Sequence, residues 1–173
     1  GIATPKDVKE ALQEETALVT IMHANNEIGT IQPVKEIAKV VRDYKKQNNR
    51  MYPYVHTDAC QSFGYLDVFV ERLGIDLMTF NGSKIYGPKG AGALYVKRGI
   101  TLKPLIYGGG QESGLRSGTE NIAGAIGLAE AVRITETIKE KEARRVGALR
   151  DYFIDELMRQ IPSTRVNGSR SER

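Results

Sequence analysis

The chain has 173 residues, of which 40% are hydrophobic and 27% are charged, and its net charge at pH 7 is +4. This composition is ordinary for one globular domain, and the few, scattered aromatic residues (7%) argue against a nucleic-acid surface. No apolar run approaches the roughly 18 residues of a membrane span, no signal peptide is recognisable, and a single cysteine suits a reducing compartment. We therefore expect a cytoplasmic protein without a membrane or nucleic-acid partner.

Helix and strand patterns alternate along the chain. A first helix is predicted to begin with Thr4 as cap and Pro5 in its first turn, and to reach about Glu15. The next predicted elements are a strand from Ala17 to Met22, a helix opened by Pro33, a strand from Tyr54 to Thr57, a short helix from about Val68 to Leu73, a strand from Leu77 to Phe80 and a strand from Gly92 to Val96. This alternation predicts an α/β fold with a mainly parallel sheet flanked by helices.

A long helical pattern follows the last predicted strand. Apolar residues recur at helical spacing, which predicts one or two helices from about Asn121 to Gln160, and Gly147 is the place for a break if there are two.

A lysine and an aspartate stand at the ends of two successive predicted strands. Asp58 closes the run that begins at Tyr54, and Lys84 lies between the next run and a turn rich in glycine and proline. If the strands are parallel neighbours, their carboxyl ends lie about 5 Å apart, at the edge where open α/β sheets bind ligands. Such a pair is what a pyridoxal phosphate (PLP) enzyme needs: the lysine forms the Schiff base and the carboxylate keeps the pyridine nitrogen protonated. The alternative is a turn-capping aspartate and a solvated lysine.

Four sequence blocks in one order resemble a known family. They are HANNEIGT from His23, HTDACQ from His56, SKIYGPKG from Ser83 and GGGQESGLRSGTEN from Gly108. Together they closely resemble the cysteine desulfurases, the class V group of PLP enzymes that supply sulfur for iron–sulfur clusters. The resemblance extends from about Thr16 to Ile134 and implies part of the large domain of a fold-type-I PLP-dependent transferase.

The resemblance implies roles around the cofactor ring. Lys84 would carry PLP and act as the base at the substrate α-carbon, and Asp58 would bond the pyridine nitrogen. Gln61 and Asn26 would bond the phenolic oxygen of the ring. Amide donors at that oxygen and a carboxylate at the pyridinium favour the form of the ring that stabilises a carbanion.

The resemblance also implies a phosphate site. Thr119, in the RSGT segment, would reach the phosphate held by the partner subunit. The family usually has Ser where this chain has Asn81, and His where it has Ser83. Both replacements are small, polar and able to bond phosphate, so we assign both to the phosphate cup.

The resemblance implies an activity for a longer protein. Members of the family are more than twice as long, so residues 1–133 are interpreted as part of the PLP-binding large domain, and residues 134–173 as the connecting helix and the start of a small C-terminal domain. The complete homodimer would convert L-cysteine to L-alanine and an enzyme persulfide, and pass the sulfur to a scaffold or carrier protein. One alternative is another class V reaction, such as selenocysteine lysis or transamination. Another is an inactive fragment or dimerisation module. Both stay open because the acceptor cysteine and the substrate-binding arginine lie outside this chain.

The single cysteine and the two histidines are expected to be packed residues. Cys60 follows Asp58 at a strand end, whereas a sulfur acceptor belongs on an exposed, flexible loop, so we interpret Cys60 as a small buried hydrophobe. His23 and His56 have no neighbouring ligands at metal-binding spacing, which predicts no metal site. We expect His56 to point away from Asp58 and not to carry protons.

Overall fold

A computed structural model describes residues 1–173. Its sheet consists of three parallel strands and one antiparallel strand. The strands lie side by side in sequence order: β1 (Leu18–Met22), β2 (Tyr54–Asp58), β3 (Leu77–Asn81) and β4 (Gly92–Val96). β1, β2 and β3 are parallel, and β4 pairs with β3 in the antiparallel sense. The predicted α/β fold with a mainly parallel sheet is confirmed.

Four helices accompany the sheet: α1 (Pro5–Ala11), α2 (Val34–Gln47), α3 (Val70–Leu73) and α4 (Ile122–Gln160). The start of α1 is as predicted, because Thr4 Oγ1 accepts the Asp7 N–H at 3.1 Å and Asp7 Oδ2 accepts the Thr4 N–H at 2.8 Å, a capping box. The predicted end at Glu15 is wrong. The Thr16 hydroxyl accepts the Gln13 N–H at 2.9 Å, so this segment forms a local turn in place of helix.

The long helix α4 is continuous, and the alternative with a break at Gly147 is wrong. A glycine inside a helix costs only about 1 kcal/mol relative to alanine. Ion pairs at helical spacing accompany the helix along its length: Glu130 with Arg133, Glu142 with Arg145, and Glu156 with Arg159. The predicted domain boundary between residues 133 and 134 lies inside this helix and stays a prediction. No helix of the structure is long and apolar enough to cross a membrane.

The hydrophobic core lies between α2, the sheet and the first turns of α4. The apolar face of α2 is buried as its spacing predicts, at Val34, Ile37, Ala38 and Val41. From α4, Leu128 and Ala131 join the same core. These two side chains lie against the glycine-rich stretch after β3. A Cβ built on Gly82 would lie 3.3 Å from Leu128 Cδ1, and a Cβ built on Gly87 would lie 2.9 Å from Ala131 Cβ. The core thus fixes the segment that carries Lys84.

Candidate active site

The carboxyl ends of the three parallel strands meet at one edge of the sheet. The Cα of Asp58 pairs with that of Met22 on one side and that of Thr79 on the other. Predicted site residues lie at or shortly after the end of each of these strands: Asn26 after β1, Asp58 and Gln61 around the end of β2, and Asn81, Ser83 and Lys84 around the end of β3. The structure therefore brings all the predicted site residues except Thr119 to this edge.

Asn81, the last residue of β3, organises the turn that carries the lysine. Its Oδ1 accepts the Lys84 N–H at 3.2 Å and the Ser83 hydroxyl at 2.9 Å. The turn is the single 3₁₀ turn Gly82–Lys84, and a Cβ on Gly82 would lie 2.9 Å from the Pro88 carbonyl oxygen, so a larger residue there would have to displace backbone. Asn81 and Ser83, the two residues at which this chain departs from the pattern that the resemblance implies, thus bond to each other, and the Lys84 side chain is exposed.

Asp58 and Asn81 flank the single cysteine. Asp58 Oδ1 accepts the Cys60 N–H at 2.8 Å. Burial, and next the bond to Asp58, raise the pKa of the Cys60 thiol to about 11, while Asn81 acts in the opposite direction. Cys60 is half-buried, not fully buried as expected, because it lies at the strand end among polar groups. Since a thiolate is the nucleophile, this thiol is poorly suited to accept sulfur near neutral pH.

His56 lies on the same face of β2 as Asp58, so the expectation that it points away from Asp58 is wrong. Side chains two residues apart on a strand share a face. His56 Nδ1 lies 2.7 Å from Thr20 Oγ1 and Nε2 lies 3.3 Å from Thr79 Oγ1, so the ring bridges β1 and β3. Burial lowers the pKa of His56, and the Asp58 charge opposes this in part. The two-residue period of a strand is the signal in the sequence that places His56 on the face of Asp58, whereas the pairing of His56 with Thr20 follows only from the strand register.

His23, just after β1, ties two strand ends together. Its backbone N–H donates to the Asp58 carbonyl at 2.8 Å, and its Nδ1 lies 3.0 Å from the buried Ser62 hydroxyl. Burial lowers the pKa of His23, with Asp67 opposing. No group of three or more His, Cys, Asp or Glu side chains could hold a metal ion.

Asn26 and Gln61 line a common cavity of about 260 Å³. Its wall also contains two arginines from the C-terminal part of the chain, Arg150 and Arg173. The sequence singled out neither arginine, because nothing local marks a contact between residues so far apart along the chain.

Thr119 lies apart from this edge in the glycine-rich loop before α4. It is exposed, and its carbonyl oxygen accepts Arg116 Nη1 at 3.4 Å. Its role toward a partner subunit stays a prediction.

Comparison with known proteins defines the family. A family model described as aminotransferase class-V matches residues 1–173. The chain belongs to this family. It is 46% identical over 173 residues to the cysteine desulfurase IscS of Dictyoglomus turgidum, and 41% identical over 173 residues to that of Methanosarcina thermophila. The chain spans 42% and 41% of the lengths of these relatives.

Solved structures are also similar to this chain. A NifS-like protein is 40% identical with a TM-score of 0.83, covering 91% of this chain and 42% of that chain. DndA from Streptomyces lividans is 35% identical with a TM-score of 0.82, over 99% and 47% of the two chains. A structure named SspA in complex with cysteine is 44% identical with a TM-score of 0.70, over 76% and 37%. These matches confirm the predicted resemblance to the cysteine desulfurases.

Proposed function

We propose that this chain is the cofactor-binding part of a PLP-dependent cysteine desulfurase. The complete protein would convert L-cysteine to L-alanine, with the sulfur received as a persulfide by a cysteine outside this chain. The observation that carries the proposal is the convergence of Lys84, Asp58 and the polar residues around them at the carboxyl edge of three parallel strands. The similarity to IscS proteins and to the structure named SspA in complex with cysteine supports the substrate.

The side chains at this edge fit PLP by their chemistry. PLP offers an aldehyde, a basic pyridine nitrogen, a phenolic oxygen and a phosphate. The edge offers a primary amine at Lys84, a carboxylate at Asp58, amide donors at Asn26 and Gln61, and hydrogen-bonding groups at Asn81 and Ser83. Asn81 uses its oxygen within the turn, which leaves its amide nitrogen as a donor.

Each residue has a defined task in the proposed reaction. Asp58 would hold a proton on the pyridine nitrogen, and the Lys84 amine would hold the cofactor and act as the base toward the substrate α-carbon. Asn26 and Gln61 donate to the phenolic oxygen. The bound cofactor supplies the electron sink for the reaction. Asn81 would bind the cofactor phosphate through its amide nitrogen, and Ser83 would bind it by turning its hydroxyl away from Asn81 Oδ1, together with Thr119 of the second subunit.

The remaining parts of the proposal concern the complete protein. It would be a cytoplasmic homodimer in which residues 1–133 belong to the large domain and residues 134–173 lead into a small C-terminal domain. A scaffold or carrier protein would take the sulfur for iron–sulfur clusters or another pathway.

Borohydride reduction of the full-length protein with PLP, followed by peptide mass spectrometry, tests the cofactor site. We expect one phosphopyridoxyl adduct, on Lys84. Lys89 follows shortly after Lys84 in the chain and is also exposed, so Lys89→Ala is the matched control: it keeps the adduct, whereas Lys84→Ala loses it. Labelling scattered over several lysines would overturn the site.

Product analysis separates the desulfurase from its alternatives. Alanine formed from L-cysteine in step with protein persulfide supports the proposal. If Lys84 carries the adduct but the protein acts only on selenocysteine, or only transfers an amino group to an acceptor, the protein catalyses another class V reaction. A specific adduct without any turnover would indicate a catalytically inactive module.

A further inference from the structure

The last residues of the chain lie against the turn that carries Asn26. We call residues Asn25 to Ile31 the Asn26 turn, and residues Gly168 to Arg173 the C-terminal segment. Three hydrogen bonds join them: Ser169 N–H to Thr30 Oγ1 at 3.2 Å, Ile31 N–H to the Glu172 carbonyl at 2.9 Å, and Arg173 Nη2 to the Ile28 carbonyl at 3.0 Å. These bonds connect residues far apart in sequence, so the turn is held by tertiary contacts.

The Asn26 turn satisfies its inner polar groups by itself. Asn25 Oδ1 accepts the N–H groups of Glu27 and Ile28 at 2.9 and 3.0 Å. The Asn25 N–H donates to the Thr30 carbonyl, and its own carbonyl accepts the Gly29 N–H. Three polar groups of the turn have their partners in the C-terminal segment: the Ile28 carbonyl, the Thr30 hydroxyl oxygen and the Ile31 N–H. A buried polar group without a partner is costly, so loss of the segment should loosen the turn.

The fit between the two segments is close. Gly168 has φ +88°, and a Cβ built on it would lie 2.7 Å from both the Ile28 carbonyl oxygen and Thr30 Oγ1. Thr30 itself is fully buried. The helix α4 adds a further bond, because Arg150 Nη1 donates to the Arg173 carbonyl at 2.8 Å. The position of Arg173 is thus set from both sides.

The Arg173 guanidinium also brings positive charge to the cavity that Asn26 and Gln61 line. The lining of this cavity includes Arg150 and Arg173 but no aspartate or glutamate. Two nitrogens of the guanidinium, Nε and Nη1, are buried without a hydrogen-bond partner. A cation placed in such surroundings favours negative charge on a group bound by the neighbouring amides.

We propose that Arg173 is a positioning residue that fixes the Asn26 turn and thereby aims Asn26 at its ligand. The turn would be held by Arg173 whether or not a cofactor is bound. The consequence for catalysis rests on the proposed function, because it assumes that Asn26 donates to the phenolic oxygen of PLP. The two parts of the proposal are therefore measured separately.

The first measurement is hydrogen exchange of the full-length protein without cofactor, followed by mass spectrometry of peptides that cover the Asn26 turn. Arg173→Met removes the donor and keeps an apolar stem. We expect exchange of the turn to become about tenfold faster, as for loss of about 1.4 kcal/mol of local stability. The matched control is Arg170→Met, which removes a guanidinium of the same segment that bonds Asp155 at 2.5 Å and not the turn. Equal exchange in both variants would overturn the proposal.

A second variant guards against global unfolding of Arg173→Met. Thr30→Val is close in shape and removes the acceptor of the Ser169 N–H without touching the arginine. Faster exchange confined to the turn in Thr30→Val supports the contact, and unchanged exchange contradicts it.

The second measurement is the absorbance spectrum of bound PLP as a function of pH, which a purely structural role would leave unchanged. We expect Arg173→Met to shift the titration midpoint of the bound cofactor upward and Arg173→Lys, which keeps both the charge and a donor for the Ile28 carbonyl, to restore it. Arg170→Met should titrate like the wild type. If the wild type binds no PLP, the proposed function fails, while hydrogen exchange still decides whether Arg173 holds the turn. If PLP binds and the midpoint is the same in all variants, the catalytic part of the inference is wrong.

Discussion

Asn81 Oδ1 accepts the backbone N–H of Lys84 at 3.2 Å, so the residue that ends β3 also fixes the turn that carries the lysine. The same oxygen accepts the Ser83 hydroxyl at 2.9 Å. Asn81, which we propose to bind the cofactor phosphate, thus also fixes the geometry of the backbone before the lysine.

Replacing Asn81 tests that role. Asn81→Ala removes both bonds and should lower the free energy of unfolding by about 1 kcal/mol, whereas Asn81→Ser keeps a side-chain oxygen that can cap the turn and should cost much less. Urea unfolding of the full-length protein measures both. Equal losses in the two variants would mean that the hydrogen bonds of Asn81 do not hold the turn.

Replacing Asp58 tests the proposed chemistry apart from the fold. Asp58→Asn keeps an oxygen that can accept the Cys60 N–H, so the fold should persist and PLP should still bind. The amide cannot hold a proton on the pyridine nitrogen, and we expect alanine formation from L-cysteine to fall by about 100-fold or more, as when one preorganised charge is removed from an active site. Asp43→Asn, on the exposed face of α2, is the control. A rate close to that of the wild type would contradict the assigned role of Asp58.

The raised pKa of Cys60, about 11, predicts a thiol that alkylates slowly near neutral pH. The thiol is protonated below that pKa, so its reaction with iodoacetamide should be slow at pH 8 and accelerate steadily toward pH 11. Mass spectrometry of the peptide that contains Cys60 follows the reaction, and the same peptide in urea is the control, because the unfolded thiol titrates near 8.5. Rapid labelling of the folded protein at pH 8 would restore Cys60 as a candidate sulfur acceptor.

The parts of the fold and site that could be predicted are those with a local pattern. Apolar runs marked β4 from Gly92 to Val96 and the other strands to within a residue. Because parallel strands end at one edge, residues directly after them, such as Asp58 and Lys84, could be placed near each other from sequence spacing alone. Their roles stay predictions, and the roles of Asn26 and Gln61 came only from resemblance.

The parts that could not be predicted depend on contacts between distant residues. The bond from Arg173 to the Ile28 carbonyl has no local signal, because tertiary packing alone brings the two together. The end of α1 depends on the hydrogen bond from the Gln13 N–H to the Thr16 hydroxyl, which competes with helix formation and is not included in helix propensities. The orientation of His56 is different, because the two-residue period of a strand alone predicts that His56 and Asp58 share a face.

The two histidines predict that stability falls in mild acid. Burial lowers the pKa of both His23 and His56 in the folded protein, whereas an unfolded histidine titrates near 6.5. Below about pH 6.5 the unfolded chain therefore binds protons that the folded chain does not, and the free energy of unfolding should decrease from pH 7 to pH 5. Urea unfolding at these pH values should show a shallower decrease in His23→Gln and in His56→Gln. An unchanged pH dependence in both variants would show that neither histidine is held neutral.

Two glycines with opposite surroundings give a last, paired prediction. Gly82 is buried, and a Cβ there would lie 2.9 Å from the Pro88 carbonyl oxygen and 3.3 Å from Leu128 Cδ1. Gly82→Ala must therefore displace backbone, and we expect a loss of about 1–3 kcal/mol in the free energy of unfolding, with weaker PLP labelling of Lys84. Gly147 lies inside α4 with nothing within 4 Å of a built Cβ, so Gly147→Ala should gain about 1 kcal/mol by helix propensity. Urea unfolding compares the two, and a destabilised Gly147→Ala would mean that α4 is not a continuous helix at that point.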